Sequence, residues 1–376
     1  MDSPFQFGTL ATDKNFIDRV EDRKQLKQML SSKINVALIS PRRWGKSSLV
    51  KMAMDELVNE RKEFRVCYID AFSINSEEEF YNVFASSVLS CASGRLEKAV
   101  QDARKYLGGL LAGITVSDGL SDFLSINLGY RPKEMDKMEI LNLPEKLSQD
   151  KGIRIIVCID EFQQLAHIPE YSDMEGKMRT VWQKQKLVSY CFYGSKKHMM
   201  MQIFADSQKP FYRFANIIFM PKIAKDDWLP FIYEGFRSTG KQIPEKYAEM
   251  ICDTVECHSW YLQQFAFFVW SATESVVDDT IMDKSLRRLI DTNSPMFISD
   301  TEKLTPSQRS MLMAISEGVQ KLSSEEIVQK YHLGNPNTIQ RNKKALQEKS
   351  FIDLVDGELY ISDPVFKLWY RKTNKR

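Results

Sequence analysis

The chain has 376 residues, 43% hydrophobic and 27% charged, with 52 Lys and Arg against 50 Asp and Glu. That length exceeds one ordinary domain and the apolar share suffices for real cores, which excludes disordered and fibrous classes and predicts two or three folded units. A formal net charge of +2 names no polyanionic or membrane-surface partner.

No apolar run approaches a membrane span and the N-terminus shows no signal-peptide core, so a cytoplasmic protein is expected. Six cysteines (Cys67, Cys91, Cys158, Cys191, Cys252 and Cys257) lack CxxC spacing, and the four histidines lack ligand spacing. Reduced, buried thiols and no zinc site are the expectation.

Residues 1–15 carry little pattern, and a helix is predicted from Phe16 through FIDRVEDRKQLKQML, with Val20, Leu26, Met29 and Leu30 apolar. VALISPRRWGKSSLV follows. Val36 to Ile39 reads as a buried strand, SPRRWGKSS as a loop, and Leu49 onward as a helix. Strand, loop and helix with G-x-x-x-x-G-K-[ST] spacing form a phosphate-binding loop, with Ser40 in the place of the first glycine. In that motif Gly45 lets the backbone wrap phosphates, Lys46 reaches the terminal ones, and the Ser47 hydroxyl is placed for Mg²⁺. A surface loop that carries GKSS by chance is the alternative. The helix from Phe16, just ahead of this strand, is placed to cover a nucleotide base.

Phe64 to Ile69 reads as a second strand ending at Asp70, and Ser76 with Glu79 predicts a capping box and a helix to about Leu89. Helix is expected again over Gly94 to Leu107. Two β-like runs between Ile114 and Leu128, about Asp118-Gly119, predict an inserted hairpin, and a helix over Met138 to Leu147 follows.

Arg154 to Ile159 is an apolar strand closed by Asp160-Glu161, the Walker B pattern: one carboxylate for the Mg²⁺ shell, the next to activate water. An acidic helix cap is the alternative. Val188 to Tyr193 predicts a further strand ended by Gly194-Ser195, with Ser195 either facing a γ-phosphate or making a plain turn. PFYRFANIIFMPKI carries Arg213 and a last strand from Ile217 to Met220. Arg213 is a candidate arginine finger for a neighbouring subunit or a surface cation.

From Ala224 the β pattern stops. Residues 225–295 read as helical, a small lid in which His258 sits beside Trp260 and Tyr261, as a packing residue or a nucleotide contact. Residues 301–376 predict three helices and a two-stranded wing about Asp356-Gly357, a winged helix-turn-helix whose third helix carries Gln340, Arg341, Lys343 and Lys344. With 13 Lys and Arg against 9 Asp and Glu, that segment suits either DNA phosphates or protein docking. The expected domains are a 1–224 core with the hairpin near 114–128, a 225–300 lid and a 301–376 winged helix.

Jointly these segments resemble the archaeal-type ATPase family of the AAA+/signal-transduction P-loop NTPase group. FIDRVED is similar to its F-x-G-R-x-x-E with Asp18 for Gly, and SPRRWGKSSL to its phosphate loop. IDEFQ, YGSKKHMM and PFYRFANI resemble its Walker B, sensor and arginine segments, and HSWYLQQ its lid motif with Ser259 for Pro. The resemblance implies an α/β fold: an ASCE-type parallel sheet with the catalytic strand between the P-loop strand and the second strand, a helical lid and a winged helix. It implies ATP and Mg²⁺ as cofactors. Nucleotide contacts are implied from Ser40, Pro41, Arg42, Arg43, Trp44, Gly45, Lys46, Ser47 and Ser48, together with Phe16, Arg19 and His258; the metal falls to Ser47 and Asp160, and catalysis to Glu161, Lys46, Ser195 and Arg213. Ser40 for Gly is expected to narrow the loop and slow turnover.

ATP is expected over GTP because Asn342-Lys343 and Asn374-Lys375, the Asn-Lys pairs with nearby context, lie in the C-terminal segment away from a guanine site. The leading expectation is an ATP-hydrolysing switch acting on protein or DNA, with a homo-oligomer if Arg213 acts in trans. A nucleotide-gated DNA or protein adaptor with little turnover is the alternative, and a transcription factor a third.

Overall fold

In a computed structural model, residues 3–8, 17, 19–94, 96–108, 111–117, 123–128, 134–355 and 357–374 are described. The chain divides into two compact units: Arg19–Pro221, and Lys222–Arg376 together with the N-terminal residues up to Asp18.

The first unit runs α1 (Val20–Ser31), β1 (Val36–Ile39), α2 (Lys46–Glu60), β2 (Phe64–Asp70), α3 (Glu77–Ser93), α4 (Leu96–Leu107), β3 (Leu111–Ser117), β4 (Phe123–Leu128), α5 (Glu134–Leu141), α6 (Leu143–Lys151), β5 (Arg154–Asp160), α7 (Tyr171–Trp182), β6 (Val188–Gly194), α8 (Lys197–Phe204) and β7 (Asn216–Phe219). Five strands form a parallel sheet in the order β2-β5-β6-β1-β7. The central strands β1 and β6 are buried at every position and β5 at all but its ends, as apolar runs must be when helices cover both faces of a parallel sheet. The register pairs Ile39 with Gly194 and Asp70 with Asp160, so the strands end level and their carboxyl ends form one rim. The strand that ends in Asp160, β5, stands between β1 and β2 as expected, with β6 as a further strand between it and β1.

The inserted hairpin forms as antiparallel β3 and β4, and its Asp118-Gly119 turn lies outside the described residues. Four local expectations shift. The helix after the P-loop starts at Lys46, because Gly45 at φ 87° turns the chain into it three residues earlier. Ser76 Oγ accepts the Glu79 amide at 3.1 Å, but the Glu79 carboxylate takes the Asn75 N–H, which leaves half of the capping box. The single helix expected over Met138 to Leu147 is broken at Asn142, since Pro144 lacks an N–H and suits only a first helical turn. The last strand slides one residue, to Asn216–Phe219.

The core of this unit is aromatic. Trp182 stacks on Tyr190 with ring centres 4.3 Å apart and packs near Phe84 and Phe192.

The second unit holds α9 (Lys225–Arg237), α10 (Glu245–Thr254), α11 (Ser259–Ala272), α12 (Asp279–Glu302), α13 (Pro306–Ser316), α14 (Glu325–Tyr331), α15 (Pro336–Glu348), β8 (Ile352–Val355), β9 (Glu358–Ile361) and α16 (Pro364–Thr373). Its helices and wing share one hydrophobic core. Asp363 caps α16, a helix beyond the three expected for the winged segment, although Asp-Pro is a start signal. The Tyr261 hydroxyl donates to that same carboxylate at 2.6 Å, joining α11 to α16. Residues 3–8 pack in this unit: the Phe5 ring lies 5.7 Å from Phe231 and 5.6 Å from Phe236. Gly235 is glycine because a Cβ there would stand 2.6 Å from the Phe5 ring. Among the described residues no helix is long and apolar enough to cross a membrane.

Trp182→Ala should lower the stability of the first unit by about 3–5 kcal/mol, through lost burial and the cavity left behind, read as an earlier urea transition by far-UV circular dichroism.

Candidate functional site

Three strand ends build the site. The loop after β1 ends at Gly45, whose positive φ is strained for any residue with a side chain, and it delivers Lys46 and Ser47 onto the first turn of α2. The first turn of a helix presents N–H groups that its own ladder does not use, a ready seat for an anion. Ser40 has no positive φ and its amide donates to the Gly194 carbonyl at 3.3 Å, so serine fits without left-handed strain. Pro41, Arg42 and Arg43 are exposed, Trp44 is half-buried and Ser48 is buried.

The end of β5 supplies the two carboxylates. Ser47 Oγ donates to Asp160 Oδ2 at 2.6 Å, and Lys46 Nζ lies 3.9 Å from Asp160 Oδ1 and 3.4 Å from Glu161 Oε1. Glu161 sits at φ 47°, ψ 40°, a left-handed conformation that costs a non-glycine residue on the order of 1 kcal/mol or more and gathers at functional sites. It turns the side chain back across the rim, where Ser195 Oγ donates to Oε2 at 2.8 Å and the Ser195 amide at 3.3 Å. Gln163 Nε2 donates to the same oxygen.

The neighbouring acids are pushed in opposite directions. Burial raises Asp160, Lys46 and the Ser47 hydroxyl oppose it, and the Glu161 charge adds to the rise, so Asp160 ends above its ordinary range. Burial also works against Glu161, but the Lys46 ammonium and the bonds from Gln163 and Ser195 outweigh it, leaving Glu161 below its ordinary range and ionised. Adjacent carboxyls held apart in this way suit different roles. Ser47 and Asp160, already in contact, match the small donor set that Mg²⁺ takes from a protein, one hydroxyl and one carboxylate with the rest from phosphate and water.

Sequence reasoning gives Gln163 no role, although IDEFQ contains it. Gln163 is fully buried, and its Oε1 occupies the space that a Cβ on Gly194 would take. Gly194 is therefore the gap in β6 that admits the side chain reaching Glu161. Arg19 is buried at the start of α1 and pairs with Asp22 at 2.9 Å. Arg213 is exposed, at φ 55°, over the Tyr212 ring at 5.1 Å. In the second unit, His258 precedes α11 and packs on Tyr261 with ring centres 4.8 Å apart. Phe16 lies outside the described residues.

With this geometry in hand, comparison places the fold. Residues 43–183 match the KAP family P-loop domain, and residues 295–372 match a probable winged helix domain. The chain is similar to the Walker-type ATPase of Pyrococcus abyssi, with TM-score 0.71 and 19% identity over 98% of this chain and 99% of that one. It is also similar to the ORC2 protein of Aeropyrum pernix in ADPNP and ADP complexes, with TM-score 0.56 and 13% identity over 98% and 99% of the two chains. The ORC1 protein of Aeropyrum pernix in complex with DNA follows at TM-score 0.51 and 11% identity over 99% and 98%. No curated protein matches the sequence. The class is thus defined: an α/β P-loop NTPase fold with a parallel five-stranded sheet, continued by a winged helix domain.

The two acids give opposite linkage. Glu161, lowered on folding, stabilises the fold above its unfolded value and loses that contribution as pH falls through its folded one. Asp160, raised on folding, opposes the fold at neutral pH and ceases to do so as pH falls through its raised value. At pH 7 without nucleotide, Glu161→Gln should lower Tm by a few degrees and Asp160→Asn should raise it, measured by differential scanning calorimetry.

Proposed function

We propose that this chain is an Mg²⁺-dependent, ATP-binding and ATP-hydrolysing switch that acts on a DNA or protein partner through its winged helix. The observation that carries the reading is the convergence of Lys46, Ser47, Asp160, Glu161 and Ser195 on one rim of the sheet within hydrogen-bond and ion-pair distance. In this reading the amides of the loop and of the first turn of α2 hold the phosphates, and Lys46 leaves the two carboxylates for the terminal ones. Ser47 and Asp160 hold Mg²⁺, which supplies charge neutralisation to the phosphates when bound. Glu161, ionised, orients the attacking water and takes its proton, and the Ser195 hydroxyl turns from Glu161 to the γ-phosphate. Arg213 serves as the finger only where a second copy presents it to that phosphate.

The alternative, an adaptor that holds ATP and turns it over rarely, draws on one feature: Glu161 is occupied by Lys46, Ser195 and Gln163 together. A partner would then be required to release it.

The winged helix supports DNA as one partner class. Asn335 caps α15, and that helix leaves Gln340, Arg341 and Lys344 exposed, with Lys343 half-buried. These side chains suit phosphate contacts, and the likeness to a protein solved with DNA agrees with this.

The deciding experiment is steady-state ATP hydrolysis across a series of protein concentrations, with and without duplex DNA. Lys46→Ala should abolish ATP binding and serves as the blank, while Glu161→Gln should keep ATP bound and lower turnover by about 10² or more. Turnover at the level of the blank, with ATP bound tightly, would give the adaptor reading. In full-length protein, Arg341→Ala combined with Lys344→Ala should weaken duplex binding evenly across sequences and reduce the salt slope by about one unit for each phosphate no longer neutralised, read by fluorescence anisotropy.

A further inference from the structure

The six cysteines, scattered in sequence, meet as three pairs in the fold. Cys158 and Cys191 face each other on β5 and β6, and both are fully buried. Cys67, buried on β2, meets Cys91 of α3. The third pair, Cys252 and Cys257, lies at the end of α10 and differs from the others in how it is made.

The helix α10 ends in a Schellman motif. Glu256 takes a left-handed φ of 50°, its amide donates to the Asp253 carbonyl at 3.2 Å, and the Cys257 amide donates to the Cys252 carbonyl at 2.9 Å. In that motif the side chains three residues before the cap and two after it come into contact. Both of those positions are cysteine here, and the two thiols interact. Cys252 is buried while Cys257 is partly open. Five charged side chains ring the turn: Lys222 and Lys367 pair with Glu256 at 3.6 and 3.3 Å, and Lys225 with Asp253 at 2.9 Å.

We propose that Cys252 and Cys257 form a peroxide-responsive dithiol site, in which Cys257 is the attacking thiolate and Cys252 the resolving thiol. The Cys257 thiolate attacks one oxygen of a hydroperoxide; the O–O bond breaks, Cys257 becomes a sulfenic acid, and the other oxygen leaves as water or an alcohol after taking a proton. Cys252 sulfur then displaces the sulfenic hydroxyl, forming the disulfide and releasing water with the Cys252 proton. The two thiols lose two electrons, and the peroxide gains them.

The acidity of the pair agrees with those roles. The Cys252 thiol donates to the Cys257 sulfur, and this, helped by Lys222 against the cost of burial, brings Cys257 down to about 7. The same bond, with burial, pushes Cys252 up. Burial likewise holds Cys67 and Cys158 as inert thiols. Glu256 and Cys257 both occupy left-handed backbone without being glycine, which keeps the two sulfurs at the same corner.

The test uses the full chain and hydrogen peroxide, with readouts that do not pass through ATP turnover. At pH 7 Cys257 should be alkylated by iodoacetamide about five- to tenfold faster than Cys91. Peroxide followed by peptide mass spectrometry should join the Cys252 and Cys257 peptides with the loss of two hydrogens. In Cys252→Ser, dimedone should label Cys257, and Cys257→Ser should yield neither product. Circular dichroism of both serine variants checks that the helices remain. Equal alkylation of Cys257 and Cys91, a first oxidation at another cysteine, or peroxide leaving both thiols free would overturn the proposal.

Discussion

Everything at the phosphate-loop rim depends on where one ammonium goes. Lys46 is buried against Asp160 and Glu161, and a buried cation without those carboxylates would be far too costly to keep. The same attraction that stabilises this arrangement lowers Glu161 and keeps it charged. In the proposed function a polyphosphate at the amides of α2 draws Lys46 away, and that alters the field on both acids at once. Anion binding at α2 and the charge on Asp160 and Glu161 are therefore linked through Lys46.

The rest of the first unit serves to hold that rim level. A parallel order of β2-β5-β6-β1-β7 brings the ends of β1, β5 and β6 together although they are far apart in sequence. Because side chains alternate and strand ends are in register, a shift of one residue in β5 would turn Asp160 away from Ser47. The stacked aromatics around Trp182 pack on Tyr190 and Phe192 of β6, the strand that pairs with β5. Rigid packing there permits Glu161 its strained backbone.

The apolar runs of Val36 to Ile39, Arg154 to Ile159 and Val188 to Tyr193 are legible because a fully buried strand needs no partner to be recognised. Lys46, Ser47, Asp160 and Glu161 are legible for a related reason: each is close in sequence to a strand end. Contacts that arise only when strands meet are not. The bond from Gln163 to Glu161 requires the missing side chain of Gly194 on another strand, and neither residue announces the other. The start of α2 at Lys46 is hidden because a glycine reads as loop flexibility, although the positive φ of Gly45 is also a helix entry. The thiol pairs are invisible as spacing, since a helix end brings together residues five apart and a sheet brings together strands.

The seat of Phe5 on Gly235 bears on the order in which the molecule comes into being. Gln6 bonds to Gln263 across a sequence separation of 257 residues. Synthesis thus yields residues 3–8 long before the helices that receive them exist, with the whole sheet unit made in between. The sheet unit, complete by Pro221, has the chance to fold as an independent body during that interval. Docking of the leading segment is then the closure of a long loop. Phe5 and Phe7 thus precede by more than two hundred residues the rings that receive them, Phe231, Phe236, Trp260 and Phe267.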